Sequence, residues 1–229
     1  MNKDLINTAI LASSFLGLFG VAELLYYKLK IKAELTRKLV HFGTGILTLL
    51  FPIMLGNQWL VLFLCATFAL IILASLKFKF LRSINGIERK SHGSISYPIS
   101  VYTCYLIYDH FLSKPSNTHP YIYFYLPVLS LAICDPMAAL VGKRFPYGRF
   151  TIGKDTKTLM GSMAFFVSSL ILSSSLYFGL AIGAFQLPAV LLPVMLIALF
   201  ATIAEALSGK GIDNITIPFT VALILILLS

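Results

Sequence analysis

Apolar stretches of roughly 17 to 25 residues, the length that carries a helix across ~30 Å of hydrocarbon, recur along the whole of this 229-residue chain. They fall at 5–27, 39–55, 59–76, 95–111, 122–141, 163–180, 188–207 and 215–228. The sequence therefore predicts an all-α, polytopic helical membrane protein with about eight transmembrane helices. The last stretch is short enough to be re-entrant, so seven is the alternative count. A 58% hydrophobic content, a mean hydropathy of +0.88 and only 12% charged residues lie outside the range of soluble domains. Every connection is short, and no internal repeat or low-complexity tract occurs. Residues 1–229 thus read as a single transmembrane catalytic domain.

Cys65, Cys104 and Cys134 all sit inside apolar stretches, with no CxxC pair and no His at metal spacing, so neither a disulfide framework nor a zinc site is indicated. The first apolar stretch follows a lone Lys3 and lacks an A-x-A cleavage pattern, which makes it an uncleaved first helix.

A net charge of +9 would suit nucleic acid if it formed a solvent-exposed patch, but the cations occupy alternate loops. Lys28, Lys30, Lys32, Arg37 and Lys38 follow the first stretch; Lys77, Lys79, Arg82, Arg89 and Lys90 follow the third; five more follow the fifth; Lys210 follows the seventh. Only Lys3 and Lys114 lie elsewhere. The positive-inside rule then makes the basic loops cytoplasmic and puts both termini outside, in what we expect to be the plasma (inner) membrane. The bilayer is the expected partner and nucleic acid is not; the sequence leaves the oligomeric state open.

Residues 135–162, DPMAALVGKRFPYGRFTIGKDTKTLMGS, form a polar run that a membrane protein rarely needs for structure alone. Lys143, Arg144, Arg149, Lys154 and Lys157 offer cationic donors, Gly142, Gly148, Gly153 and Gly161 admit close backbone approach, and Asp135 and Asp155 can hold a divalent metal. Asp135 is the most telling, because a carboxylate two turns inside a span is costly unless it faces a cavity, a cation or a metal. Pro136 removes a helical N–H beside it. Asp135, Ala138, Ala139 and Gly142 share one helical face, a small-residue seam that also suits close helix packing. Asp155 reads as a residue of a wet loop. GRFTIGKD nearly spells a P-loop, but Asp155 stands in place of the hydroxyl residue and no buried parallel strand precedes it, which rejects a P-loop ATPase. Lys154, Lys157, Thr158, Gly161 and Ser162 can still surround phosphates at the start of the sixth span.

Three further segments repeat the theme on the same side. ELTRKLVHFGTG, 34–45, places Arg37 and His41 one helical turn apart where a phosphate would lie, with Lys38 beside them. Arg37 suits an anion, and His41 suits a hydroxyl proton or an interfacial structural bond. ERKSHGSISYP, 88–98, supplies Arg89 and Lys90. EALSGKGIDNITIP, 205–218, supplies Glu205, Lys210, Asp213 and Asn214 for metal or phosphate, with Gly209 and Gly211 for a tight turn.

In order and content these four segments resemble the CTP-dependent lipid-alcohol kinases: phytol, farnesol and dolichol kinases and the CTP-dependent diacylglycerol kinases. The DPMAALVGK and EALSGKGIDNITIP segments resemble the phytol-kinase branch most closely. The resemblance implies CTP as phosphoryl donor, Mg²⁺ as cofactor, and a lipid alcohol, most naturally an isoprenoid such as phytol, farnesol or geranylgeraniol, as substrate. It implies that 135–142 form the nucleotide and metal segment, continued by Lys157, Gly161 and Ser162. Asp135 would hold the metal with Glu205 or Asp213. The expected nucleotide contacts are Arg37, Lys38, Arg89, Lys90, Gly142, Lys143, Lys154, Lys157, Thr158, Gly161, Ser162, Lys210 and Asn214. Asp135 and His41 are the expected catalytic residues. Met160 departs from the pattern, which often has Glu there, so either Glu205 or Asp155 supplies that charge or catalysis is altered. Phosphatidate cytidylyltransferases share a similar grammar and are the alternative; a non-enzymatic lipid transporter is the second alternative.

Overall fold

The computed structural model describes residues 3–86, 93–114, 118–153, 155–181, 187–209 and 211–229. Helix α1 (Lys3–Tyr27) is followed by α2 (Ala33–Thr48) and its short continuation α3 (Phe51–Met54), then α4 (Gln58–Phe78), a single turn α5 (Arg82–Asn85) and α6 (Gly93–Phe111). Helix α7 (Ile122–Leu129) runs through a π-helical turn, Ser130–Cys134, into α8 (Asp135–Arg144). After a β-hairpin, β1 (Arg149–Ile152) and β2 (Asp155–Thr158), come α9 (Leu159–Gly179), α10 (Leu187–Leu207) and α11 (Asp213–Leu227).

The all-α expectation holds, and among the described residues five helical segments are long and apolar enough to cross a membrane: Lys3–Tyr27, Gln58–Phe78, Ile122–Arg144, Leu159–Gly179 and Val190–Leu207. By this measure the expected eight spans, or seven, are not reached. Helix α2 stops after Thr48, short of a span, and α11 runs only from Asp213 to Leu227. Helix α6 carries Ser, Tyr and His along an otherwise apolar run. All three nonetheless pack as full members of the bundle, α1 against α2, α4 against α6, and α11 against α6 and α10. Side chains such as Trp59, Phe63 and Ile171 stand exposed on the outside of the bundle, as lipid-facing residues do.

The helix ends sort to two sides. At one, Asn7 donates to the Met54 carbonyl at 2.7 Å, the Tyr105 hydroxyl to the Leu55 carbonyl at 2.7 Å, and Tyr108 packs on Tyr121. At the other stand the basic segments and the hairpin, which is an addition to the all-helical expectation. Strands β1 and β2 pair antiparallel, Ile152 opposite Asp155, around Gly153 at φ +61°. Gly148, at φ +65°, turns the chain into β1, and its carbonyl accepts the Leu159 N–H at 3.0 Å. The P-loop stays excluded for the reason read in sequence, since β1 is antiparallel and not buried. A strand does precede Gly153, but the chain after it forms the returning strand, not a phosphate-binding helix.

Candidate functional site

A cavity of about 960 Å³ opens among the basic segments and penetrates the bundle. The lining face of α2 shows how it is built. Arg37 and Lys38, then His41, Thr44 and Thr48, line it at helical spacing, and Phe51 follows just past the helix end. One stripe thus passes from cations through imidazole and hydroxyls to an aromatic ring as it descends.

Opposite, α8 contributes Asp135, Ala138, Ala139 and Gly142, the small-residue seam expected from the sequence. That seam receives α9. A Cβ on Gly142 would fall 2.5 Å from the Thr158 Oγ1 and 3.3 Å from the Gly161 Cα, and one on Gly161 would fall 2.9 Å from the Ala138 carbonyl oxygen. Gly142 and Gly161 therefore let two helices touch through their backbones. Thr158 caps α9, its Oγ1 accepting the Gly161 N–H at 3.1 Å. This corrects the expected use of that helix start: the Gly161 N–H is taken by the cap instead of pointing to a phosphate. Thr158, Gly161 and Ser162 still line the cavity.

The turn before Asp135 has its own consequence. In a π-helical register the carbonyl of Leu131 would accept from residue 136, and Pro136 has no N–H to give. His41 bonds that carbonyl instead, through Nε2 at 3.2 Å. Because a carbonyl only accepts, Nε2 carries the proton, and in the neutral ring Nδ1 is left as the acceptor. Gly45, one turn along α2, makes the approach possible, since a Cβ there would lie 2.3 Å from the Ala132 Cβ.

Five charged groups meet at the level of Asp135. Asp213, Lys157, Glu205 and Lys38 all act electrostatically on its carboxylate. The Lys157 ammonium binds a Glu205 carboxylate oxygen, and also the Glu205 carbonyl at 2.9 Å. The other carboxylate oxygen of Glu205, itself 4% exposed, is 3.5 Å from the Ser162 hydroxyl. Asp213 Oδ1 accepts the N–H of Asn214 at 3.0 Å, while Asn214 donates through Nδ2 to the Gly93 carbonyl at 3.1 Å and fixes α11 against α6. At the rim Lys143 pairs with Glu34 at 2.8 Å, which holds the Glu34 carboxyl below its usual range.

Asp155 is a correction. It does not lie in a wet loop: it is buried, and a Cβ on Gly209 would come within 2.6 Å of its Oδ2. Arg149 also lines the cavity. Arg89, Lys90, Lys154 and Lys210 lie outside the described residues. Sequence reasoning missed the apolar part of the wall, including Phe15, Phe19, Cys65, Phe68 and Val101.

Among the described residues, no three His, Cys, Asp or Glu side chains form a ready metal cage. Asp135 and Asp213 are nevertheless two hard oxygen donors facing one cavity. That set suits Mg²⁺, which takes one or two carboxylates and completes its shell with water and phosphate oxygens. Glu205 is engaged by Lys157 and Ser162.

Over 218 residues, 93% of this chain and 88% of the relative, the sequence is 28% identical to a phytol kinase from Synechocystis sp.. The chain is similar to a phytol kinase over nearly its whole length. The resemblance carried by the four motifs is borne out across nearly the whole length. No protein-family model and no solved structure matches the chain.

Proposed function

We propose that this protein is a membrane kinase that transfers the γ-phosphoryl group of CTP to the hydroxyl of an isoprenoid alcohol. One observation carries the reading: a single cavity joins a charged end, with Asp135, Asp213 and Lys157, to an apolar arm inside the bundle. A nucleotide triphosphate suits the first and a lipid tail the second. The similarity to a phytol kinase supports the same class of reaction.

Phosphoryl transfer asks chiefly for positioning and charge neutralisation. Arg37, Lys38 and Lys143, at the open end, bind the triphosphate. Lys157, held by Glu205, faces the transferred group. Asp135 and Asp213 are the residues that would hold Mg²⁺, which would offset the phosphate charge. His41 presents Nδ1 as the acceptor of the alcohol proton, its ring fixed by the bond from Nε2 to Leu131. The hydroxyl oxygen then forms its bond to the γ-phosphorus as the bond to the β-phosphate oxygen breaks, releasing CDP. By the positive-inside rule, the open end faces the cytosol and the termini lie outside.

The test is purified protein in detergent with Mg²⁺, γ-labelled CTP or ATP, and phytol, farnesol, geranylgeraniol, diacylglycerol or phosphatidate. Label in an isoprenoid alcohol, with CTP preferred, is the expected result. Labelled pyrophosphate released only with phosphatidate would make the protein a cytidylyltransferase and overturn the kinase reading.

A further inference from the structure

The apolar arm has a floor. Along α4 the lining residues run from Leu76, beside the basic segment, to Cys65, roughly 16 Å deeper at ~1.5 Å of rise per residue. That is about half of a ~30 Å hydrocarbon layer, so the arm stops near the bilayer midplane. Three rings close it. Phe15, Phe51 and Phe68 are 3%, 1% and 9% exposed, with ring centres 4.6 Å apart for Phe15 and Phe68 and 6.0 Å for Phe15 and Phe51. Behind them Phe51 stacks on Phe124, and the buried Leu55 and Tyr105 are tied by a hydrogen bond, so no passage continues to the far side at this point.

Resting on the lipid-alcohol reading above, we propose that the Phe15, Phe51 and Phe68 cluster is a chain-length stop. The hydroxyl of the substrate sits beside His41 and Asp135, and its alkyl tail extends down the arm until it meets these rings. The occupant is argued from continuity: one cavity runs from the charged groups Asp135, Lys157 and Asp213 down to these rings. An open groove between helices discriminates chain length weakly, because surplus carbons run out into lipid. A closed arm does not, because each surplus carbon must displace a packed ring.

The experiment measures kcat/KM for geraniol, farnesol, geranylgeraniol and the much longer solanesol in wild type and in variants of the floor. Wild type is expected to rise along the series and then fall by about 10-fold or more once the tail exceeds the arm, since a misfit of one methylene alone is worth ~10-fold or more. Phe68→Ala deepens the arm and moves the optimum to a longer alcohol. Cys65→Phe raises the floor and moves it to a shorter one, with KM for CTP unchanged in both. Phe68→Leu serves if Phe68→Ala does not fold. A flat wild-type profile out to solanesol, or an unmoved optimum in folded variants of both kinds, overturns the stop. Absence of label from every alcohol overturns the kinase reading itself and the stop with it.

Discussion

The Lys157 ammonium is bonded twice to Glu205, a residue 48 positions away, through its carboxylate and through its backbone carbonyl at 2.9 Å. The pair joins β2 to the end of α10, and the free carboxylate oxygen reaches toward Ser162 in the first turn of α9. Met160 stands two residues before that serine, where the resemblance to lipid-alcohol kinases leads one to expect Glu. Glu205 thus brings a carboxylate to the neighbourhood in which the sequence motif lacks one, and Asp155, buried against Gly209, brings another.

Breaking this pair on one side leaves a charge buried without its partner. Glu205→Leu is expected to lose about 3–5 kcal/mol of stability, and the double variant Lys157→Met with Glu205→Leu to lose less than that single change. Thermal unfolding in detergent, followed across the four proteins of the cycle, measures the coupling. Additive effects would mean that the pair contributes nothing.

Asp135→Asn keeps the shape of the side chain and removes its charge. Turnover should fall by about two to three orders of magnitude, the scale seen when one electrostatic contact to the transition state is lost. Elution as a single folded species on size exclusion separates this from misfolding. Near-normal turnover in the folded variant would exclude Asp135 from the metal and the chemistry.

His41→Gln retains a side-chain N–H able to reach the Leu131 carbonyl but has no basic nitrogen, whereas His41→Phe has neither. If Nδ1 takes the alcohol proton, both lose turnover by about 10²-fold or more, and only the Phe variant also loses thermal stability. Full activity in His41→Gln would reduce His41 to a structural donor.

Gly142→Ala inserts a methyl group where the Thr158 hydroxyl and the Gly161 backbone already stand, and should cost about 1–3 kcal/mol. Gly17 and Gly20 on α1 have open space around them, so alanine at either should be neutral or stabilise by up to ~1 kcal/mol. Unfolding temperatures of the three variants test the contrast. An unaffected Gly142→Ala would mean that α8 and α9 do not cross as closely as described.

The bundle was legible in the sequence because lipid demands long apolar runs, and the site's charged end because Asp135 breaks such a run at a cost that structure alone does not explain, with Lys157 and Asp213 in the polar segments between runs. Other features were hidden for identifiable reasons. The hairpin consists of two strands of four residues each, too short for a period-two pattern to stand out among glycines and cations. The bond from His41 to Leu131 depends on a π-helical turn, which no side-chain pattern announces. The apolar wall was invisible because α1 and α4 are hydrophobic on every face, so composition does not tell which residues face a cavity and which face lipid. Asp155 was misread because polar sequence around it suggested water, while the turn at Gly209 covers it.

On the proposed reading, a cavity stopped at its depth by Phe15, Phe51 and Phe68 and charged at its other end imposes a timetable. The phosphorylated product cannot sink past the rings, and its new charge ties it to the end where the nucleotide also enters. Incoming alcohol must therefore queue behind outgoing phosphate ester. Turnover in such an enzyme is paced by departure as much as by chemistry, and its own product competes for the seat of the next substrate.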